Sequence, residues 1–283
     1  NYFVYGLTGQ LSGKNVEQIG GEFNNMLSTP SVMIFWTLVV VVISILVCSL
    51  GLQKGVEKIS KVMMILLFAL MIIMAVNSLL LDGSSEGLKF YLVPDFSKMK
   101  EQGIGNVVFA AMSHAFFTLG LGIGSMEIFG SYLSRDCKLT GESINVVILD
   151  TVVALTAGII IIPACFAYGI NPGAGPSLLF ITLPNVFNQM PGGVIWEVLF
   201  FIFMAFAALS TVIAVYENII AMTMDLFNCS RKRASLVNLF VIAVLSMPAV
   251  LGYNVLSGVQ PLGAGTTIMD LEDFIVSYNI LPL

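Results

Sequence analysis

Seven apolar runs, at about 31–52, 62–81, 104–134, 144–169, 193–227, 234–256 and 267–283, constrain this chain more than anything else in it. A hydrocarbon core ~30 Å thick takes roughly 20 residues of helix to cross, so runs of this length read as spans rather than as buried helices of a soluble domain. Composition agrees, since 57% of the residues are hydrophobic and only 10% charged, against about 25% charged in a soluble domain. A transmembrane β-barrel would alternate apolar and polar positions instead. The fold class expected is therefore an all-α polytopic membrane protein, with one transmembrane domain over 1–283, about seven membrane segments and no second, soluble domain.

The basic residues orient the spans. Lys54, Lys58 and Lys61, then Arg135 and Lys138, then Arg231, Lys232 and Arg233 account for eight of the twelve lysines and arginines. By the positive-inside rule the loops 53–61, 135–143 and 228–233 are cytoplasmic, which predicts a multi-pass protein of the plasma membrane. The opposite loops, about 7–30, 82–103 and 170–192, carry the other four lysines and the turn formers Gly, Pro, Asn and Ser. No basic stripe exists for nucleic acid. Cys48, Cys137, Cys165 and Cys229 are spaced neither as a disulfide framework nor as a metal site. The chain opens on Asn1-Tyr2-Phe3 and closes inside an apolar stretch at Leu283, and it reads as a piece of a longer protein lacking both ends.

Within the run 104–134, Gly120, Gly122 and Gly124 alternate in the middle of a helical span, where each glycine costs about 1 kcal/mol relative to alanine. Small residues also serve close helix packing in membranes. Alternation does not keep to one helical face, however, so a functional break is favoured, with backbone groups released toward an ion or a solute. Ala207, Ser210 and Thr211 stand at i, i+3 and i+4 on one face, able to aim a carbonyl and two hydroxyls at one point. The plainer alternative is that Ser210 and Thr211 bond back to carbonyls one turn earlier. Asp150 is an acid two turns into an apolar run, where a lone charge costs at least ~2.5 kcal/mol and a partner is expected, unless it lies at the interface. His114, the one histidine, reads as a neutral hydrogen-bonding group, Glu127 as either a paired structural acid or a titratable group, and Glu217 as part of a structural network.

The stretch His114-Ala-Phe-Phe-Thr-Leu-Gly-Leu-Gly-Ile-Gly124, continuing to Gly130-Ser131-Tyr132, resembles the unwound sixth helix of the neurotransmitter:sodium symporter family. Pro176 to Pro184 is similar to that family's helical external loop, and Ala207-Ala-Leu-Ser-Thr211 to its sodium-binding eighth helix. Order and spacing fit along essentially the whole chain, from the end of helix three to part of helix ten. The resemblance implies an inverted-repeat (5+5) broken-helix fold and sodium-coupled symport of an amino acid, hydrophobic or aromatic, by alternating access. It implies sodium ligands at Thr118, Asp150, Ala207, Ser210 and Thr211, and substrate contacts at Phe117, Thr118, Gly120, Ile123, Thr211 and Val215. It further implies gating roles for Tyr132, Asp225 and Asp273. Asp150 falls at or within one residue of a sodium-binding asparagine beside the family's chloride site, so its own charge implies that chloride is not required.

Nothing resembles a catalytic set, since His-Glu-x-x-His and a Walker lysine are both missing from the sequence. An enzyme is not expected. The partners expected are the amino acid, sodium and the bilayer. Two rivals stand beside this reading: a proton- or other cation-coupled carrier of a related broken-helix family, and a channel or non-transporting membrane receptor.

Overall fold

A computed structural model describes residues 1–50, 57–121, 124–133, 138–167, 169 and 178–280. In chain order its α-helices are α1 (Tyr2–Thr8), α2 (Val16–Ser28), α3 (Pro30–Ser49), α4 (Glu57–Leu79), α5 (Ser84–Leu92), α6 (Phe96–Gln102), α7 (Ile104–Thr118), α8 (Ser125–Ser131), α9 (Leu139–Ala167), α10 (Leu183–Gln189), α11 (Gly193–Phe227), α12 (Arg231–Leu245), α13 (Met247–Leu251) and α14 (Ile268–Ile275). Two π-helical turns, Leu178–Thr182 and Val276–Ile280, precede α10 and follow α14. Among the described residues there is no strand, as the unbroken apolar runs require. The helices α3, α9 and α11 and the stretch Arg231–Leu251 are each long and apolar enough to cross a membrane. A fifth crossing results if the two arms Met64–Leu79 and Ser84–Leu92, bent by 116°, count as one span.

The run 104–134 is divided between α7 and α8, and the helix that follows Asn228 begins earlier than its apolar content indicates. Arg231, Lys232 and Arg233 form the first turn of α12 rather than a loop, so the connection from α11 shrinks to residues 228–230. Arginine and lysine are good helix formers, and Ser230 supplies the extended backbone that an N-cap needs. Of the three basic loops, 51–56 and 134–137 lie outside the described residues.

Packing divides the chain into two units. The first comprises residues 1–26, 61–94 and 151–208. Its core is aromatic: the Tyr2 ring lies 4.9 Å from Phe180 and 5.1 Å from Phe201, and Phe23 stacks on Phe180 at 5.5 Å. Asn188 on α10 ties down the segment between α1 and α2, donating to the Leu11 and Lys14 carbonyls at 2.7 and 3.1 Å and accepting from the Gly13 amide at 3.3 Å. α4 and α5 clasp α9 where Pro163 interrupts its ladder. Ser78 donates to the Ile160 carbonyl at 2.9 Å, Tyr91 to the Ala154 carbonyl at 3.3 Å, and Gly87 lies so close to Pro163 that a Cβ there would be 2.6 Å from its Cα.

The second unit comprises residues 27–60, 95–150 and 209–283. Val41, Ile45, Val47 and Cys48 of α3 bury against Ile213 and Ile220 of α11 and Ala234 of α12. In lipid, van der Waals packing of this kind is one of the forces that associate helices. Thr267 and Asp270 form a capping box at the start of α14.

Candidate functional site

The break between α7 and α8 is built by glycine at both ends. α7 closes in a paired turn in which the Leu121 amide donates to the Phe116 carbonyl at 2.9 Å and the Gly120 amide to the Phe117 carbonyl at 3.1 Å. Gly120, at φ 65°, occupies the left-handed position this cap demands. Gly124, at φ 81°, begins α8, and a Cβ there would stand 2.7 Å from the Asn218 amide nitrogen of α11. Two of the three alternating glycines are therefore helix punctuation, while Gly122 and the substrate candidate Ile123 lie outside the described residues. Helical geometry persists through Phe117 and Thr118, because the Gly120 cap lies beyond them. The Thr118 hydroxyl donates to the Ala115 carbonyl at 3.3 Å. With its proton engaged there, the hydroxyl oxygen keeps lone pairs for a cation. Phe117 is exposed, as is Thr118.

On α11, Ala207, Ser210, Thr211 and Val215 follow one another along a single uninterrupted helix, with Ala207, Ser210 and Val215 half-buried and Thr211 exposed. Asp150 is half-buried in α9, and among the described residues no ion pair reaches it. Asp225 is exposed toward the end of α11, while Asp273 in α14 accepts a hydrogen bond from the Ser277 hydroxyl at 2.7 Å. Glu127 sits in the first turn of α8, where a carboxylate suits the positive end of the helix dipole.

Glu217 organises a connected polar group of the second unit. Although it is 0% exposed, both its oxygens are engaged: Arg231 donates from Nη1 at 2.8 Å and from Nη2 at 2.9 Å, and the Tyr132 hydroxyl donates at 3.1 Å. Arg231 Nη1 also reaches the Cys48 carbonyl at 3.0 Å, and the Cys48 thiol donates to the Ile213 carbonyl at 3.5 Å. A fork of this kind neutralises a buried carboxylate in both charge and geometry. About two turns of helix onward, Asn238 of α12 donates to Thr223 Oγ1 at 2.9 Å. Tyr132, named from the sequence as a gate residue, is thereby joined to α11. Arg231, read from the sequence as a loop charge, becomes its neighbour because α12 doubles back beside α11; the one signal for the pairing is an intramembrane acid that needs a cation.

The comparisons agree with this architecture. The profile described as "Sodium:neurotransmitter symporter family" matches residues 14–271. The chain is 36% identical to the sodium-dependent transporter YhdH of Bacillus subtilis, over 99% of its own length and 61% of the relative's. It is 35% identical to a sodium-dependent transporter of Haemophilus influenzae, over 90% and 54% respectively. A sodium- and chloride-dependent taurine transporter of Rattus norvegicus is 27% identical over 84% of this chain and 39% of that protein. The crystal structure of MhsT in complex with L-phenylalanine superposes with a TM-score of 0.89 at 40% identity, covering 99% of this chain and 63% of MhsT. The chain thus spans about three-fifths of MhsT and YhdH. From an all-helical apolar fold, a span interrupted between two glycine caps and a profile that runs through nearly its full length, it follows that this chain belongs to the sodium:neurotransmitter symporter family, whose members are transporters rather than enzymes.

Proposed function

We propose that the whole transporter carries a hydrophobic or aromatic amino acid across the plasma membrane, driven by inward sodium through alternating access. The observation that carries this reading is the end of α7 at Thr118 and the start of α8 after Gly124, with Gly120 and Gly124 both at positive φ and Thr118 and Phe117 exposed at the helix end. Unwound backbone at membrane depth persists where it lines a cavity and serves a ligand. Thr118, Asp150, Ala207, Ser210 and Thr211 offer oxygen atoms alone, the donor set that suits a hard alkali cation. Phe117, Thr118, Gly120, Ile123, Thr211 and Val215 make the substrate wall largely apolar, in keeping with the phenylalanine complex of MhsT. Tyr132, Asp225 and Asp273 act at the gates. The basic segments 53–61, 135–143 and 228–233 face the cytoplasm, and the fixed charge of Asp150 takes the place of chloride.

The test is uptake of labelled L-phenylalanine and L-leucine into proteoliposomes containing the whole transporter. A sodium gradient with sulfate replacing chloride is expected to drive saturable accumulation. Uptake that follows a proton gradient without sodium would establish the rival carrier, and ion current without saturable solute flux would establish a channel.

A further inference from the structure

In the first unit α5 does not continue α4 but doubles back from it. The arms Met64–Leu79 and Ser84–Leu92 are bent by 116°, more than a right angle, so the chain that leaves the end of the α4 span turns back toward the level of that span. Gly83, at φ 84°, makes the corner. From there α5 descends along α9, and close approach is allowed at each step by a glycine. A Cβ at Gly83 would stand 3.6 Å from the Ala167 Cα and one at Gly87 2.6 Å from the Pro163 Cα. A Cβ at Gly158 would overlap the Tyr91 ring, whose hydroxyl donates to the Ala154 carbonyl at 3.3 Å. The contacts thus move down α9 from Ala167 to Gly158 as they move along α5 from Gly83 to Tyr91, about 13 Å of travel on either helix. Ser84 and Gly87 are buried by this packing. The other side of α5 is not: Phe90, Leu92 and the following Val93 are 57%, 49% and 57% exposed.

Polarity changes from one end of α5 to the other. It opens as Ser84-Ser85-Glu86-Gly87 and closes as Leu88-Lys89-Phe90-Tyr91-Leu92, with Val93 next. The depth scale comes from α9. About 20 residues of helix fill a hydrocarbon core, and α9 has 29, so with the core centred on it the boundary passes near Pro163. Gly87, seated on Pro163, is where α5 changes from polar to apolar. The register on α9 and the order of residues in α5 therefore place the crossing at one level, and a face covered by protein has no need of such a gradient. The exposed apolar side also continues that of α4, where Ile72, Val76 and Leu80 are exposed. Asp95, exposed and two residues beyond Val93, limits the descent to the upper acyl region. We propose that α5 is a re-entrant interfacial helix whose partner is phospholipid. Phe90, Leu92 and Val93 seat among the upper acyl carbons of the leaflet at the C-terminal ends of α4 and α9, and Lys89 extends its ammonium to the phosphates. So seated, α5 is a peg that fixes the level of both spans in the bilayer, as amphipathic anchors do. This seating requires a membrane but none of the sodium, substrate or gating assignments made above.

The experiment uses the whole transporter, with its accessible native cysteines replaced, in vesicles of phosphatidylcholine and phosphatidylglycerol. A nitroxide is attached at a single cysteine introduced as Glu86→Cys, Leu92→Cys or Val93→Cys. Its relaxation by oxygen, which concentrates among acyl chains, is compared with that by a neutral nickel chelate, which stays in water. Oxygen is expected to dominate at 92 and 93 and the chelate at 86, with the ratio differing several-fold. Equal access of the chelate to all three positions would overturn the proposal by making α5 part of an aqueous loop. Labels at 92 and 93 that neither reagent reaches would overturn it too, since another part of the transporter would then cover the face. Phe90 rests on Phe166 at 5.2 Å, so Phe90→Trp is a milder second probe. The fluorescence it adds to the parent protein is expected to be quenched by lipids brominated high on the acyl chain and not by aqueous iodide; the reverse pattern would count against lipid seating. Uptake enters none of these readings, so their failure is distinct from failure of the sodium-coupled reading.

Discussion

At the scale of single residues, the break between α7 and α8 depends on two backbone conformations that only glycine adopts without strain. A Cβ at position 124 meets both a positive φ and the Asn218 side chain at 2.7 Å, so Gly124→Ala is expected to destabilise the whole transporter by about 1–3 kcal/mol. At position 120 the cost is that of losing a C-terminal cap, roughly 1 kcal/mol. Thermal melting of the two variants checks the order, with Gly124→Ala the lower. Asp150 makes a sharper functional prediction. If its carboxylate supplies the fixed charge that balances bound sodium, Asp150→Asn is expected to lower sodium affinity or to make uptake depend on chloride, since a low-dielectric cation site needs a compensating anion. Unchanged sodium affinity together with continued chloride independence would reduce Asp150 to a structural role. These residues were visible in the sequence as an acid and as glycines out of place. Their division of labour was not, because the capping role of Gly120 rests on amides of Gly120 and Leu121 folding back onto Phe117 and Phe116.

Between elements, the pairing of α11 with α12 rests on Glu217 and Arg231. Removing one partner of a fully buried pair costs about 3–5 kcal/mol; since the Arg231 side chain is 25% exposed, water offsets part of that, and Glu217→Gln or Arg231→Met is expected to cost about 2–3 kcal/mol. A double-mutant cycle with Glu217→Met and Arg231→Met is expected to recover much of the loss, because neither charge is then left alone. Additive single losses would show that the two groups are energetically independent despite their geometry. A weaker contact responds to pH. The Lys98 and Ser97 amides donate to Asp95 at the start of α6, at 3.3 and 3.0 Å, and hold its carboxyl below the ordinary aspartate value. The cap is therefore complete above about pH 4, the unfolded value, and is lost as pH falls through the lower folded one. Hydrogen-exchange protection at Ser97 and Lys98 is expected to fall below that pH relative to the rest of the chain. Asp95→Asn, which caps without titrating, is expected to remove the pH dependence.

For the molecule as a whole, Ser210→Ala and Thr211→Ala are expected to raise the sodium concentration needed for half-maximal uptake several-fold while leaving melting in the absence of sodium nearly unchanged, the signature of ligands rather than of packing. A matched fall in stability and transport would assign these hydroxyls to back-bonding within α11. The sequence by itself determined the solvent, the all-helical class and the family, because apolar length is a local property that a bilayer reads directly. It also marked the place where a span must break, since alternating glycines defeat a helix wherever they occur. Only the tertiary structure decided which buried charges are neutralised and by what. Glu197 and Glu217 look alike in the sequence, both being acids in one apolar run. One meets a guanidinium because α12 turns back beside α11, and the other is buried with its Oε1 left without a hydrogen-bond partner. Partners far apart in the chain are chosen by packing, and packing is a property of the assembled helices rather than of any one run of residues.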